Sequence, residues 1–432
     1  MAYHKGFTIL ALAGIAIAAM VPETKPMTCP NTPPVLNPYQ VAPGWSAVKV
    51  AGELTSPRDL VIDSKGRILI VEEGTGISQH TVDHNGCINS SRTLISNDEL
   101  NHGIYLGING NTLFASSATS VFSWPYDPST GNTSPTPTTL ITGMSSTGHV
   151  TRTLIIPSHQ PNLLVVAHGS GSNLDYDAVN PSTARALVKV FDLAHVTPTG
   201  YDYVKDGWNA GYGLRNEVGL AFDGNNMLWG VENSADELIR NVSGVTTDIH
   251  QNNPAEELNF LGDVTKPNDA WYGYPTCFTV WNGTEFTDHK FRTGEQFVQE
   301  PSPSFNDSTC QAESMPPRLS FQAHTAPLGA KFDATYSNLM VTMHGSWNRD
   351  VPTGYKLVAV PFAHLPDGSY TPGADPTSNE YEDIFSPPDE GACSSGTCAR
   401  PVGLVFDAMG RLYMTSDASG EVFMFSKSST SH

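Results

Sequence analysis

Basic side chains are scarce in this 432-residue chain: 23 Lys and Arg stand against 43 Asp and Glu, a formal net charge of −20. Such a surface argues against nucleic acid as a partner and fits a soluble protein in an acidic environment. Sustained helical periodicity is also missing, and with 38 Gly and 32 Pro the chain reads as β-rich. Long apolar runs are confined to the first residues. The run from Phe7 to Ala19 follows His4 and Lys5, contains the small-residue pattern Ala16-Ile17-Ala18, and falls short of the roughly 20 residues that span a bilayer. Residues 1–18 therefore read as a secretory signal peptide, 19–432 as one domain, and no membrane span is expected.

Cysteines are few but even in number, and an oxidising compartment would let all six pair. Sequence does not fix the connectivity. Cys393 with Cys398 and Cys277 with Cys310 are favoured, leaving Cys29 with Cys87. Zinc is disfavoured because only Cys393 and Cys398 have knuckle-like spacing. Asn89, Asn132, Asn241, Asn282 and Asn306 each begin an N-x-S/T sequon, as on a secreted glycoprotein.

What the chain has in quantity is one repeated unit. Around Gly211–Leu238, an apolar strand from Val218 to Phe222, turn chemistry at Asp223-Gly-Asn-Asn and a returning strand from Met227 to Val231 make a hairpin with Arg215-Asn216 at its entrance. The same pattern starts at Arg58 (RDLVIDSKGRILIVEEG), Asn101 (NHGIYLGINGNTLFASS), His149 (HVTRTLIIPSHQPNLLVVAHG), His324 (HTAPLGAKFDATYSNLMVTMHGSWNR) and Ala399 (ARPVGLVFDAMGRLYMTSD). Further strand-like segments, such as Ala186 to Phe191, leave room for about four strands per unit. Six such units predict an all-β, six-bladed β-propeller with long surface-loop insertions, notably His195 to Tyr212 and Asn252 to Ser320. A two-sheet sandwich is the alternative, but it gives no reason for the repeated polar entrance.

In a propeller, equivalent positions fall on a ring. The entrances would gather Arg58, Asn101, His102, His149, Arg152, Arg215, Asn216, His324 and Arg400 around one mouth. Cations so assembled repel unless an anion compensates them, which implies a multiply charged anionic ligand. Each residue alone is more simply a solvated or locally paired side chain, and His324 reads as an inter-blade packing residue. The argument rests on six coincidences at one register. Two strand-exit loops add to it. Glu232-Asn233-Ser234-Ala235-Asp236 offers hard oxygen ligands suited to calcium, or is an ordinary Asx-rich turn. His344-Gly-Ser-Trp347-Asn348-Arg349 offers an aromatic face beside a guanidinium, suited to a planar conjugated anion; a core tryptophan is the alternative.

The segments LRNEVGLAFDGNNMLWGVENSADEL, HTAPLGAKFD, HGSWNRDVPTGYKLVAVPF and ARPVGLVFDAMGRLYMTSD resemble the sorbosone dehydrogenase-like and soluble glucose dehydrogenase family, and within it the secreted fungal pyranose dehydrogenases that use pyrroloquinoline quinone (PQQ). The resemblance implies a six-bladed propeller, PQQ and calcium as cofactors, and His149 as general base. It implies cofactor contacts from Arg215, Asn216, Arg400, Trp347, Asn348 and Arg349, with Arg58, Asn101 and His102 nearby, and calcium bound at the carbonyls of Ser234 and Ala235. Val218 stands where soluble glucose dehydrogenases have glutamine, and the loop after Glu232 lacks their Gly-Pro, which leaves sugar preference and calcium ligands open.

The expected reaction is oxidation of a pyranose or ketoaldose hydroxyl, with hydride taken by the quinone and the proton by a neutral His149. No attached cytochrome or carbohydrate-binding module is expected. The partners would be a sugar and an external electron acceptor, a cytochrome or small quinone, with possible supply to other secreted redox enzymes. A metal-dependent lactonase-type hydrolase would need a carboxylate-rich axial site. A non-enzymatic propeller would use the ring for an acidic partner.

Overall fold

Alternating apolar residues in each repeat produce a hairpin, and further strands widen it into a sheet. The computed structural model describes residues 27–373, 380–394 and 396–427. Residues 1–18 lie outside them. Blade 1 comprises Pro57–Ile62, Ile68–Glu72, Gly76–Val82 and Ile88–Ser96; blade 2, Leu100–Leu106, Thr112–Ser117, Val121–Asp127 and Thr138–Thr142. Blade 3 comprises Leu154–Ile155, Leu163–His168, Leu187–Asp192 and Trp208–Tyr212; blade 4, Glu217–Phe222, Leu228–Glu232, Glu256–Gly262 and Leu319–Phe321. Blade 5 comprises Pro327–Phe332, Asn338–Met343, Lys356–His364 and Glu382–Ser386. Blade 6 takes Pro401–Phe406, Leu412–Ser416 and Glu421–Lys427 from the C-terminal side and closes with Trp45–Ala51 from the N-terminal side, Trp45 opposite Lys427. The fold is thus the expected all-β six-bladed propeller, and closure is reinforced by a buried ion pair, Lys49 to Glu421, at 2.7 Å.

The blades are held face to face by six apolar clusters, one per interface. Leu69, Ile104 and Leu113 join blades 1 and 2; Leu154, Leu164 and Phe114 join 2 and 3; Val188, Leu220 and Leu228 join 3 and 4. Trp229, Phe332 and Val341 join 4 and 5, Leu357, Leu404 and Met414 join 5 and 6, and Ile68, Val405 and Val50 close 6 onto 1. Burial on this scale is the main stabilising term, since no blade could bury both faces alone.

A second device sets the register at the inner strands. A hydroxyl on the second strand accepts from a glycine N–H of its own inner strand and donates to a carbonyl of the next blade. Ser116 Oγ takes Gly103 N at 3.0 Å and gives to Arg152 O at 2.7 Å, and Thr342 Oγ1 takes Gly329 N at 2.7 Å and gives to Val402 O at 2.6 Å. Thr415 does the same between Gly403 and Arg58. Glycine is required there: a Cβ at Gly103 or Gly329 would lie 2.1 or 2.2 Å from the neighbouring carbonyl oxygen. At the mouth end of the same strands the pairing slips, between Pro57 and Leu60, Leu100 and Ile104, Glu217 and Gly219, Pro327 and Gly329, and Pro401 and Leu404. Such bulges bend a strand and re-aim its side chains.

All three favoured disulfides form: Cys29–Cys87, Cys277–Cys310 and Cys393–Cys398. The two named insertions are more than surface loops. The stretch from His195 to Tyr212 contains the outer strand of blade 3, and Asn252 to Ser320 contains the third strand of blade 4 and the start of its fourth. The latter also carries the hairpin Cys277–Thr279 with Gln296–Val298 and the helix Asp307–Glu313. Phe278, Phe286, Phe291 and Phe297 pack there with Ala235 and Leu238 into a separate core over one sector of the mouth. Short strands and scattered aromatics leave too little period-2 signal to reveal this core. No helix among the described residues is long and apolar enough to cross a membrane.

Candidate active site

Strand entrances and second-strand exits meet at one end of the propeller in linked polar groups. Arg58 of blade 1 pairs with Asp417, at the exit of blade 6. Asp417 also accepts from His344 Nε2, at 2.9 Å to Oδ1 and 3.0 Å to Oδ2. Arg400 Nη2 donates to His344 Nδ1 at 2.9 Å and to Gly345 O at 3.1 Å. The two bonds fix the His344 tautomer, its proton on Nε2. Burial works to raise Asp417, but the His344 hydrogen bond and the nearby charges hold it well below the usual carboxylate range.

Across the mouth, Arg215 donates from Nε to Asn173 O at 3.1 Å, from Nη1 to Asn233 O at 3.1 Å, and from Nη2 to Asn173 Oδ1 and Asp236 Oδ2, both at 2.9 Å. Asn348 Nδ2 reaches Asp236 Oδ1 at 3.0 Å and lies 3.3 Å from His324 Nδ1; His324 Nε2 donates to His250 O at 2.6 Å. His324 is buried, at φ +66°. Asn101 Nδ2 donates to Val150 O at 2.9 Å, linking blades 2 and 3.

His149 is half-buried beside this network. Its Nδ1 lies 3.0 Å from Ser170 Oγ and 3.2 Å from Ser170 O, and no hydrogen bond within the described residues engages Nε2. Burial, then the charge of Arg215, lowers it to about 4. His102 is buried, with burial and then Arg58 holding it well below the ordinary imidazole value. Asn216 stands beside His149 across Gly169, where a Cβ would lie 2.6 Å from both Asn216 Oδ1 and His149 Cβ.

Three features depart from the sequence reading. Arg152 is fully buried and donates to the carbonyls of His149, Thr151 and Ser145, so it supports the loop rather than a ligand. Glu232 accepts Arg215 N at 2.7 Å and Asn259 Nδ2 at 3.1 Å inside blade 4, and burial pushes it well above the carboxylate range, so it is no surface ligand. The mouth is not a bare ring of cations, because Asp417 pairs with Arg58 and Asp236 with Arg215, while Arg400 reaches Asp417 only through His344. The entrances alone suggested a larger positive excess because both aspartates come from strand exits.

Trp347 lies at the rim, 71% exposed, and is not core. Arg349 donates to Gln251 O, to Asn252 Oδ1 at 3.1 Å and to Val351 O at 3.1 Å, which ties it to the rim loops. Ser234 N is clamped by Glu256 Oε2 at 2.6 Å, and Ala235 is fully buried under the insertion core. Sequence reasoning missed Asp417, Ser170 and Asn173, and gave His344 no role of its own. For Asp417 and Ser170 the signal available was the strand exit, where Ser416-Asp417, Glu232-Asn233 and His168-Gly169 stand at matching register, whereas Asn173 lies further along its loop and carried none.

The donor set can be tested against the implied cofactors. Arg58 Nε, Arg400 Nε, His102 Nδ1 and Asn101 Oδ1 are buried without a partner in the protein. Unpaired guanidinium N–H groups suit carboxylates, so Arg58 and Arg400 fit a polycarboxylate, whereas Asn101 Oδ1 can only accept and calls for a donor. No group of three or more His, Cys, Asp or Glu suited to a metal exists among the described residues. Calcium would therefore draw on backbone oxygens, such as the Ser234 and Ala235 carbonyls, together with ligand oxygens.

The TrAA12-like family profile matches residues 39–428. A pyrroloquinoline quinone-dependent pyranose dehydrogenase of Coprinopsis cinerea is 40% identical over 411 residues, 93% of this chain. The chain spans 56% of that relative's length. Among solved structures, the holo form of the pyranose dehydrogenase PQQ domain from Coprinopsis cinerea superposes with TM-score 0.90 at 40% identity, covering 92% of this chain and 99% of that one. A calcium structure of a Trichoderma reesei carbohydrate-active enzyme of family AA12 superposes with TM-score 0.86 at 36% identity, covering 93% of this chain and all of that one.

Proposed function

From the premise that this chain belongs to the TrAA12-like family, we propose that it is a PQQ- and calcium-dependent dehydrogenase of a pyranose or related sugar. The observation that carries this reading is the pairing of buried, unpartnered donors on Arg58 and Arg400 with a neutral His149 whose Nε2 is unengaged. Arg58, Arg400 and His102 would donate to the cofactor's carboxylates and carbonyls and Asn101 Oδ1 would accept from an N–H of the cofactor, with Trp347 and Asn348 at its edge. Arg215, mostly spent on Asn173, Asn233 and Asp236, would shape that side of the pocket and offer its remaining N–H, with Asn216 beside it. Arg349 would hold the rim, and the Ser234 and Ala235 carbonyls would face calcium.

When bound, PQQ supplies the hydride acceptor. His149 takes the sugar hydroxyl proton at Nε2 as the hydride leaves the carbon bearing that hydroxyl, and the sugar becomes a lactone, which water then opens to the acid. Asp417, through His344, holds Arg400 in place. The electrons then pass to an external acceptor, a cytochrome or small quinone. Secretion, with residues 1–18 as signal peptide and 19–432 as the catalytic domain, accords with the three disulfides and with exposed sequon residues at Asn89 and Asn132. A hydrolase reading needs free axial carboxylates, whereas Asp417 and Asp236 are both engaged by arginine.

The test is reconstitution of the apo-protein with PQQ and calcium, followed by sugar-dependent dye reduction. Turnover is expected only with both added. Metal-dependent ester hydrolysis without PQQ would refute the reading in favour of the lactonase.

A further inference from the structure

We propose that Ser170 is a positioning residue that holds His149 in the tautomer protonated at Nδ1, leaving Nε2 bare towards substrate. The inference deepens the proposed function and rests on His149 being its base. Nδ1 faces two Ser170 oxygens, the hydroxyl at 3.0 Å and the carbonyl at 3.2 Å. A carbonyl can only accept. The hydroxyl proton is already committed, since Ser170 Oγ donates to Ser172 O at 2.7 Å, so its lone pairs are what it offers the ring. Two acceptors at one nitrogen require that nitrogen to carry the proton, and a neutral imidazole then has its lone pair at Nε2.

The orienting loop is pinned from several sides. Ser170 N donates to Arg215 O at 2.7 Å, and Ser170 O also accepts His149 N at 3.0 Å. Gly171 N donates to Asp175 Oδ2 at 2.8 Å, and Arg185 grips both oxygens of Asp175 at 2.6 and 2.8 Å. Asp175 N donates to the Tyr274 hydroxyl at 2.6 Å. Two glycines permit the approach: a Cβ at Gly148 would lie 2.3 Å from Ser170 O, and one at Gly169 would strike His149 Cβ. Ser170 is fully buried, so water does not compete for these bonds.

Because the orienting group is neutral, it does not draw a second proton onto the ring. The charged groups around His149 are Arg215, Asp236 and Arg152. A carboxylate at position 170 would favour the imidazolium, whereas the hydroxyl leaves the base free in acid.

The test uses the PQQ- and calcium-loaded protein with 15N-labelled histidine. In the wild type, His149 should show a protonated Nδ1 and a pyridine-type Nε2. Ser170→Ala should mix the tautomers and lower kcat by about 10- to 100-fold with KM and PQQ affinity unchanged, less than the full ~10²–10⁴ of a general base because the carbonyl acceptor remains. Ser170→Asp should move the acid limb of kcat/KM upward by about 1–3 pH units. A wild-type ring protonated at Nε2, or Ser170→Ala with wild-type kcat and tautomer, overturns the proposal. If Ser170→Ala does not fold, the wild-type spectrum still decides. His149→Ala with full turnover would instead remove the base assignment, an outcome distinct from a wrong tautomer.

Discussion

Replacing Gly329 by alanine probes how the mouth is built. A Cβ there would lie 2.2 Å from Val402 O and 2.9 Å from Thr342 Oγ1, with Gly329 on the inner strand of blade 5 and Val402 on that of blade 6. Ordinary contact needs about 1 Å more, so the inner strands must separate. Overpacking of this kind costs about 1–3 kcal/mol. Separation also weakens the 2.6 Å bond from Thr342 Oγ1 to Val402 O, which adds about 1 kcal/mol. The expected loss is about 2–4 kcal/mol, read as a lower guanidinium midpoint at unchanged m-value. Gly410→Ala is the control: it sits at φ +77° with open space, so it should lose only the roughly 1–2 kcal/mol of a left-handed residue. Because Arg400 precedes the displaced strand, Gly329→Ala should also weaken PQQ binding. A Gly329→Ala protein no less stable than the Gly410→Ala control would refute the account of the inner strands.

Three further outcomes follow from the charges. Arg400→Ala should weaken PQQ binding while sparing the fold, measured by PQQ titration of the apo-protein. Asp417→Asn leaves the buried Arg58 guanidinium without its carboxylate and should cost about 3–5 kcal/mol at neutral pH. Since the folded Asp417 is held below its unfolded value, that contribution is present above about pH 4 and lost as pH falls through the folded value, so wild type and variant should converge in strong acid. Glu257, in cross-strand register with Glu232 and raised by burial to about 7, has the opposite sign. The native state keeps its proton, so stability should fall as pH rises from about 4 to about 7, and Glu257→Gln should flatten that slope in urea titrations. An unchanged slope would show that Glu257 is ionised in the fold.

Local sequence carried the repeat. The hairpin signal at Val218–Phe222 and its five relatives was strong because period-2 alternation, turn residues and Gly-containing inner strands all lie within one short window. From that, six blades followed, and with them the expectation that Arg58, Arg215, His149 and Arg400 would share one end. The family likeness added a cofactor that spacing alone could not name. The third and fourth strands of blade 4 were much less legible, because a disulfide-tied insertion with its own aromatic core separates them and neither strand alternates clearly.

Which residue neutralises which was decided only in three dimensions. Asp417 meets Arg58 across 359 positions, and His344 meets Asp417 across 73, distances at which no periodicity in the chain couples the partners. The same holds for Glu232, which reads as a loop carboxylate in sequence and is a buried, hydrogen-bonded group once blade 4 closes over it. The chain thus determined alone what depends on neighbours a few residues apart: strands, turns and their sixfold recurrence. Burial, charge compensation and the tautomer of His149 depend on how close unrelated blades come, and only packing sets that distance.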